Sequence, residues 1–353
     1  MSVDDFRRLV TRRGFWFGIV MVISALLPPA VLAVVTSDAA GTHQITPGEP
    51  AFGVNLDGVT FLALADANTA DAGLGKITPV CTAALITHRH LITAAHCFDP
   101  GLDDSAPLPD GLVDEYFRRN PYVAVFDLAG GRTSVPLDLD SVQFEPGWLE
   151  SGVDIAIVAL ADPAPVELPR YPLYVGQGEL GQQVVVAGYG ATGHGSTGVE
   201  LPFPPHSTKR AGLNRIEFIS DEVVPGVELM IYDFDGGLPE TNSLQLNDIP
   251  SDLGFGDDEV MVGPGDSGGP IFLSGAIAGI AVSVASFGPD DSVWGDLAMH
   301  MRVANSLDFI TSATDGEAVF VPEPAASTLA LVALMGSFRW GRSRWSADFC
   351  RKI

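Results

Sequence analysis

Three short runs in this sequence hold residue types that could carry out acyl-transfer chemistry together. The first is Leu91-Ile92-Thr93-Ala94-Ala95-His96-Cys97. A neutral imidazole is the natural general base near pH 7. His43, His88, His90, His194, His206 and His300 lack any such context. The second is Asp154-Ile155-Ala156-Ile157-Val158-Ala159-Leu160, in which one acid opens an apolar run. A carboxylate at the mouth of a buried strand needs a partner, because isolated burial is costly. A histidine N–H would satisfy it and hold one tautomer. The third is Gly263-Pro264-Gly265-Asp266-Ser267-Gly268-Gly269-Pro270. Glycines flanking a serine let the backbone turn sharply, expose the hydroxyl and aim N–H groups at a single spot, where an oxyanion could be held.

Elements must bring these runs together. Apolar runs of strand length recur at Val59–Ala65, Ala83–Ile86, Ile155–Leu160, Val184–Ala187, Glu228–Tyr232, Ile271–Leu273 and Ile277–Val284. Gly, Pro, Asp and Asn clusters separate them, which predicts an all-β barrel or sandwich. One helix is expected at Asn305–Thr311. Surface insertions are expected at Asp66–Gly75, Phe98–Asp114, Gly193–Lys209 and Gly236–Asp258. Asp233 and Asp235, in Tyr-Asp-Phe-Asp-Gly-Gly, lack the spacing of a calcium loop and read as a turn with solvated acids. No metal and no cofactor is expected.

Taken together, the three runs resemble the trypsin/chymotrypsin family of serine peptidases, with the chain order His, Asp, Ser of that family. The Gly265-x-Ser267-x-Gly269 pattern also fits the elbow of α/β esterases, but there the histidine follows the serine. Gly188-Tyr189-Gly190 resembles a turn of the family's second barrel, and the Cys81-to-Cys97 spacing its disulfide. The resemblance spans residues 45–312 and implies two six-stranded antiparallel β-barrels with the active site in the cleft between them. The N-terminal barrel, about 45–165, would carry His96 and Asp154, and the C-terminal barrel, about 166–312, would carry Ser267. The resemblance implies that Ser267 attacks a scissile carbonyl, His96 moves its proton and Asp154 orients His96. The N–H groups of Gly265 and Ser267 would hold the oxyanion, and Asp266 would bind a newly exposed N-terminal ammonium. Ile45 is the nearest candidate for that terminus, although no basic residue precedes it. Six residues before the serine, Met261 stands at the base of the substrate pocket and implies an apolar preference; Ser283 or its neighbours would line the substrate strand. The expected partners are protein or peptide substrates. The alternative is a catalytically silent surface binding module of the same fold.

The two chain ends read as addresses. Arg7, Arg8, Arg12 and Arg13 precede an apolar run from Gly14 to Val35, with small residues at Ala30, Ala33, Ala39 and Ala40, so residues 1–40 read as a signal peptide. The C-terminal order of Val321-Pro322-Glu323-Pro324, an apolar run Ala325–Phe338 and Arg339, Arg342 and Arg344 resembles the PEP-CTERM sorting signal of Gram-negative bacteria. That resemblance covers residues 321–345 and implies an exosortase as partner, with transient or permanent membrane contact through the apolar helix. The chain is therefore expected in the periplasm, at the cell surface or in the extracellular matrix, as a monomer. Its formal net charge of −25 argues against nucleic-acid binding, which needs a basic footprint. Of three cysteines, Cys81 and Cys97 form the near pair and Cys350 stands apart; one disulfide is expected for an exported chain, free core cysteines being the other reading.

Overall fold

The computed structural model describes residues 34–37, 43–65, 77–98, 122–200, 208–224, 226–288 and 290–322. Residues 1–33 of the expected leader, the Asp66–Gly75 insertion, residues 99–114 and the sorting signal from Glu323 onward lie outside them, as does Cys350. Among the described residues no helix is long and apolar enough to cross a membrane.

Period-2 burial builds a first barrel. Its strands are β2 (Val59–Ala65), β3 (Ile77–Leu85), β4 (His90–Thr93), β5 (Tyr122–Leu128), β6 (Gly131–Phe144) and β7 (Ala156–Leu160), after a short β1 at Val35–Thr36. Hydrogen bonding closes them in the order β2-β3-β4-β7-β6-β5. Within β6, Val135 and Leu137 turn inward while Pro136 and Asp138 turn out, so one face meets the core. Phe61, Leu62, Leu85, Leu91, Ile92, Val125 and Ile157 are all buried in the core. Each such side chain contributes roughly 1.5–3 kcal/mol on burial.

The second half is a larger β body. It contains β8 (Leu173–Tyr174), β9 (Gln183–Gly188), β10 (Gly193–His194), β11 (Gly198–Val199), β12 (Arg210–Arg215), β13 (Phe218–Val224), β14 (Val227–Asp233), β15 (Val260–Met261), β16 (Pro270–Leu273), β17 (Ala276–Ala285), β18 (Leu297–Arg302) and β19 (Phe320–Val321). The main sheet runs β12-β9-β16-β17-β18-β14-β13, and β8 and β19 attach beside β17. A smaller sheet orders β11-β10-β1-β15. β1 thus belongs to the fold although it falls within residues 1–40. Among the described residues there are two short α-helices, α1 (Trp148–Ser151) ahead of β7 and α2 (Leu307–Ala313) close to the expected Asn305–Thr311. Arg302, buried at the end of β18, makes a two-pronged ion pair with the buried Glu179 at 2.8 Å per contact.

The expectation of solvated acids at Asp233 and Asp235 is overturned. Both are buried, because the inward face of β14 continues past its last residue into the body interior.

Candidate active site

Antiparallel pairing of β4 with β7 sets Thr93 opposite Ala156. The chain leaving β4 and the chain entering β7 therefore meet at one barrel rim. His96 sits three residues past the pair, in a 3-10 turn over Ala95–Cys97, and Asp154 sits two residues before it. Asp154 is fully buried and spends both oxygens on His96: Oδ1 accepts the backbone N–H at 2.9 Å, and Oδ2 meets Nδ1 at 2.6 Å. That carboxylate holds the proton on Nδ1 and leaves Nε2 as the basic nitrogen. A disulfide joins Cys81 in β3 to Cys97, beside His96. The reading of two free core thiols therefore falls.

The Ser267 loop, between β15 and β16, is pinned from both sides. Thr82 in β3 donates its backbone N–H to Ser267 O at 2.8 Å and its hydroxyl to Gly265 O at 3.0 Å. The Cys97 sulfur, oxidised and no donor, lies 3.8 Å from the same Ser267 carbonyl. On the other side Gly268 N donates to Ala281 O in β17 at 2.8 Å. A Cβ on Gly268, whose φ is +80°, would stand 2.0 Å from Thr93 Oγ1 and 2.3 Å from Thr82 O, so only glycine fits where the loop crosses the barrel rim. Among the described residues no acceptor takes the N–H of Gly265 or of Ser267. Two free donors beside a half-buried serine are what a developing oxyanion needs.

Asp266 points the opposite way, into the protein. Its carboxyl accepts Gly190 N at 2.7 Å, Gly263 N at 2.9 Å and the backbone N–H of Val34. Burial pushes its pKa up to about 7. A Cβ at Gly190 would fall 2.6 Å from the Asp266 carboxyl carbon, which explains the glycine in Gly188-Tyr189-Gly190. Val34 and Val35 are buried, and β1 pairs with β15 (Val35 opposite Met261) and with β10. Ile45, the expected terminus, lies elsewhere: its N–H donates to Lys209 O at 3.0 Å, beside β12.

Met261 is fully buried between β1 and the serine loop. Asp257 and Asp258 are exposed, whereas Glu259 turns inward and accepts from Asn214 and Phe255. Ser283 is half-buried, just past a register shift in β17. His300, in β18, is buried against Tyr232, and burial lowers its pKa to about 3; it stays neutral and takes no part in proton transfer near pH 7. Sequence reasoning missed Thr82 and Val34. Adjacency to Cys81 was a usable signal for the first; the second is hidden in the apolar run Gly14–Val35.

A closed β-barrel whose rim carries a His–Asp couple, with Thr82 of the same barrel holding the glycine-bounded serine loop, is consistent with a trypsin-like serine peptidase fold. Residues 67–211 match the family model described as Trypsin, a family of serine-type hydrolases; the match takes in His96 and Asp154 and ends before Ser267. Comparison of the chain with curated proteins gave no match.

Proposed function

We propose that the protein is an exported serine endopeptidase that hydrolyses peptide bonds through an acyl-enzyme on Ser267. The observation that carries this reading is the His96–Asp154 contact of 2.6 Å, on the rim to which Thr82 ties the Ser267 loop. His96 accepts the Ser267 proton as Oγ attacks the scissile carbonyl, then delivers it to the leaving amine. Asp154 remains ionised and stabilises the imidazolium. The N–H groups of Gly265 and Ser267 hold the oxyanion. Water then attacks the acyl-enzyme, with His96 again as base.

Activation follows from Asp266. Val34 occupies the place assigned on sequence to Ile45, and Ala33 precedes it. Cleavage of the leader between Ala33 and Val34 would create an ammonium at Asp266, and export itself would then complete the site. Met261 favours an apolar side chain ahead of the cut, and Ser283 lies on the strand that would hold substrate backbone. Residues 321–345 address the exported chain to an exosortase and, through it, to the cell surface.

A fluorophosphonate probe tests the central claim. Processed wild type should label with one equivalent, and Ser267→Ala should not label. No labelling of folded, processed wild type would leave the silent binding module as the reading.

A further inference from the structure

Five carboxylates converge beyond the end of β14: Glu217, Asp233, Asp235, Asp252 and Glu259. Four are buried, with exposures of 6%, 0%, 2% and 0% for Glu217, Asp233, Asp235 and Glu259. The protein satisfies part of this charge. Glu217 Oε1 accepts Asp252 N at 2.9 Å, and Asp233 Oδ2 accepts Leu244 N at 2.9 Å. Glu259 accepts from Asn214 at 2.8 Å and from Phe255 N at 2.6 Å. Arg215 reaches the outer oxygen of Asp252 at 2.5 Å. What remains is a set of buried oxygens with no partner among the described residues: Glu217 Oε2, Asp233 Oδ1 and Asp235 Oδ1. A buried carboxylate oxygen left without donor or cation is costly, and several together are more so.

We propose that Glu217, Asp235 and Asp252 form a calcium site, with Asp233 facing Glu217 beside it. Carboxylate oxygens of Glu217, Asp235 and Asp252 lie within 4.8 Å of one another. Two ligands on one ion can stand at most twice the metal–oxygen length apart, about 4.8 Å for Ca²⁺, so these three oxygens can share one such ion. An all-oxygen, multiply charged donor set selects a hard cation rather than zinc or copper. The ligands come from three places, the β12–β13 link (Glu217), the chain just past the end of β14 (Asp235) and the long Gly236–Asp258 connection (Asp252), which suits the flexible coordination of calcium better than the strict octahedron of magnesium.

The position gives the site a purpose. The Gly236–Asp258 connection runs directly into β15, which holds Met261 and leads through Gly263 to Ser267. A cation shared by Asp235 and Asp252 fastens both ends of that connection to Glu217, so the serine loop inherits a fixed starting point. The inference rests on the buried oxygens alone and stands whether or not Ser267 is reactive. The competing account is a shared proton, since Glu217 and Asp233 also face each other closely.

Calorimetric titration of the EDTA-treated, processed protein with CaCl₂ tests this, followed by thermal melts in EDTA and in calcium. The expected result is one equivalent bound with Kd at or below about 1 mM. At saturating calcium Tm should rise by about 5–10 °C. Asp235→Asn and Glu217→Gln should abolish binding. In EDTA both should melt at or above wild type, because each removes a repelling charge; in calcium both should melt below it. Asp140→Asn, at an exposed site in β6, should bind normally. Should a variant fail to fold, the wild-type titration still decides. No heat of binding up to about 10 mM CaCl₂ together with equal melting in EDTA and calcium would overturn the site in favour of the shared proton.

Discussion

Asp154 carries more of the site than its size suggests. It is completely buried, yet its two acceptors both go to His96, one to the backbone and one to the ring. The carboxylate therefore sets where the histidine is and which nitrogen bears its proton. An amide of the same shape would keep the packing and invert the ring contact, because its NH₂ cannot accept from Nδ1–H. Asp154→Asn should fold with near-wild-type melting and lose about 10⁴-fold in kcat with KM little changed. Steady-state kinetics on a short peptide ester checks this; a loss of under about tenfold would mean that another group orients His96. The residue types were legible in sequence: one histidine beside a cysteine, one acid at a strand mouth, one serine among glycines. The 2.6 Å contact was not, because residues 58 positions apart meet only through the β4–β7 register.

At the scale of elements, the surprise is β1. A signal peptide and a buried β-strand make the same demand on sequence, a run of apolar residues, so composition cannot place the border between them. The structure places Val35 and Thr36 between β10 and β15, with the Val34 N–H on Asp266. Val34 holds φ +53°, a strained value for a β-branched residue while the Ala33–Val34 peptide bond is intact. Cutting that bond removes the constraint and turns an amide N–H into an ammonium. Mass spectrometry of the secreted protein should find Val34 as first residue; a mature chain starting at Ile45 would remove β1 and sink the assignment. The sign of the pH dependence follows. With an uncut chain the Asp266 pKa stands raised, from 3.8 to about 7, so the native state binds the extra proton. Its stability contribution is then full below pH 3.8 and is lost as pH rises through 7. An ammonium partner removes that penalty. A chain extended upstream of Val34 should therefore destabilise between pH 4 and 7 in urea melts, relative to one that begins at Val34.

For the whole molecule, the question is how two β bodies keep a shared site in register. The strands at Val59–Ala65, Val184–Ala187 and Ile271–Leu273 were readable from apolar runs bounded by turn residues. β5 and β6 escaped, one because it follows an acidic insertion, the other because its alternation is interrupted by Pro136 and polar outward positions. The seam between the bodies escaped too, since its hydrogen bonds join residues that no local pattern links. Thr82 is its centre. Its hydroxyl accepts Tyr189 N at 3.1 Å and donates to Gly265 O at 3.0 Å, its N–H reaches Ser267 O, and its carbonyl takes the Thr93 hydroxyl at 2.8 Å. One residue of the first barrel thus touches the turn beside Asp266, the Gly265 carbonyl of the serine loop and the strand that leads to His96. Thr82→Val keeps the shape and the backbone bonds but leaves the Tyr189 N–H and the Gly265 carbonyl without that partner. Each loss should cost about 1–3 kcal/mol, read as a lower urea midpoint. Because the serine loop between Gly265 and Ser267 then loses one of its anchors to the first barrel, kcat should fall by about tenfold or more while KM holds, as for loss of positioning needed mainly in the transition state. A variant with reduced stability but unchanged kcat would show that Thr82 only joins the two bodies and does not orient the peptide beside Ser267.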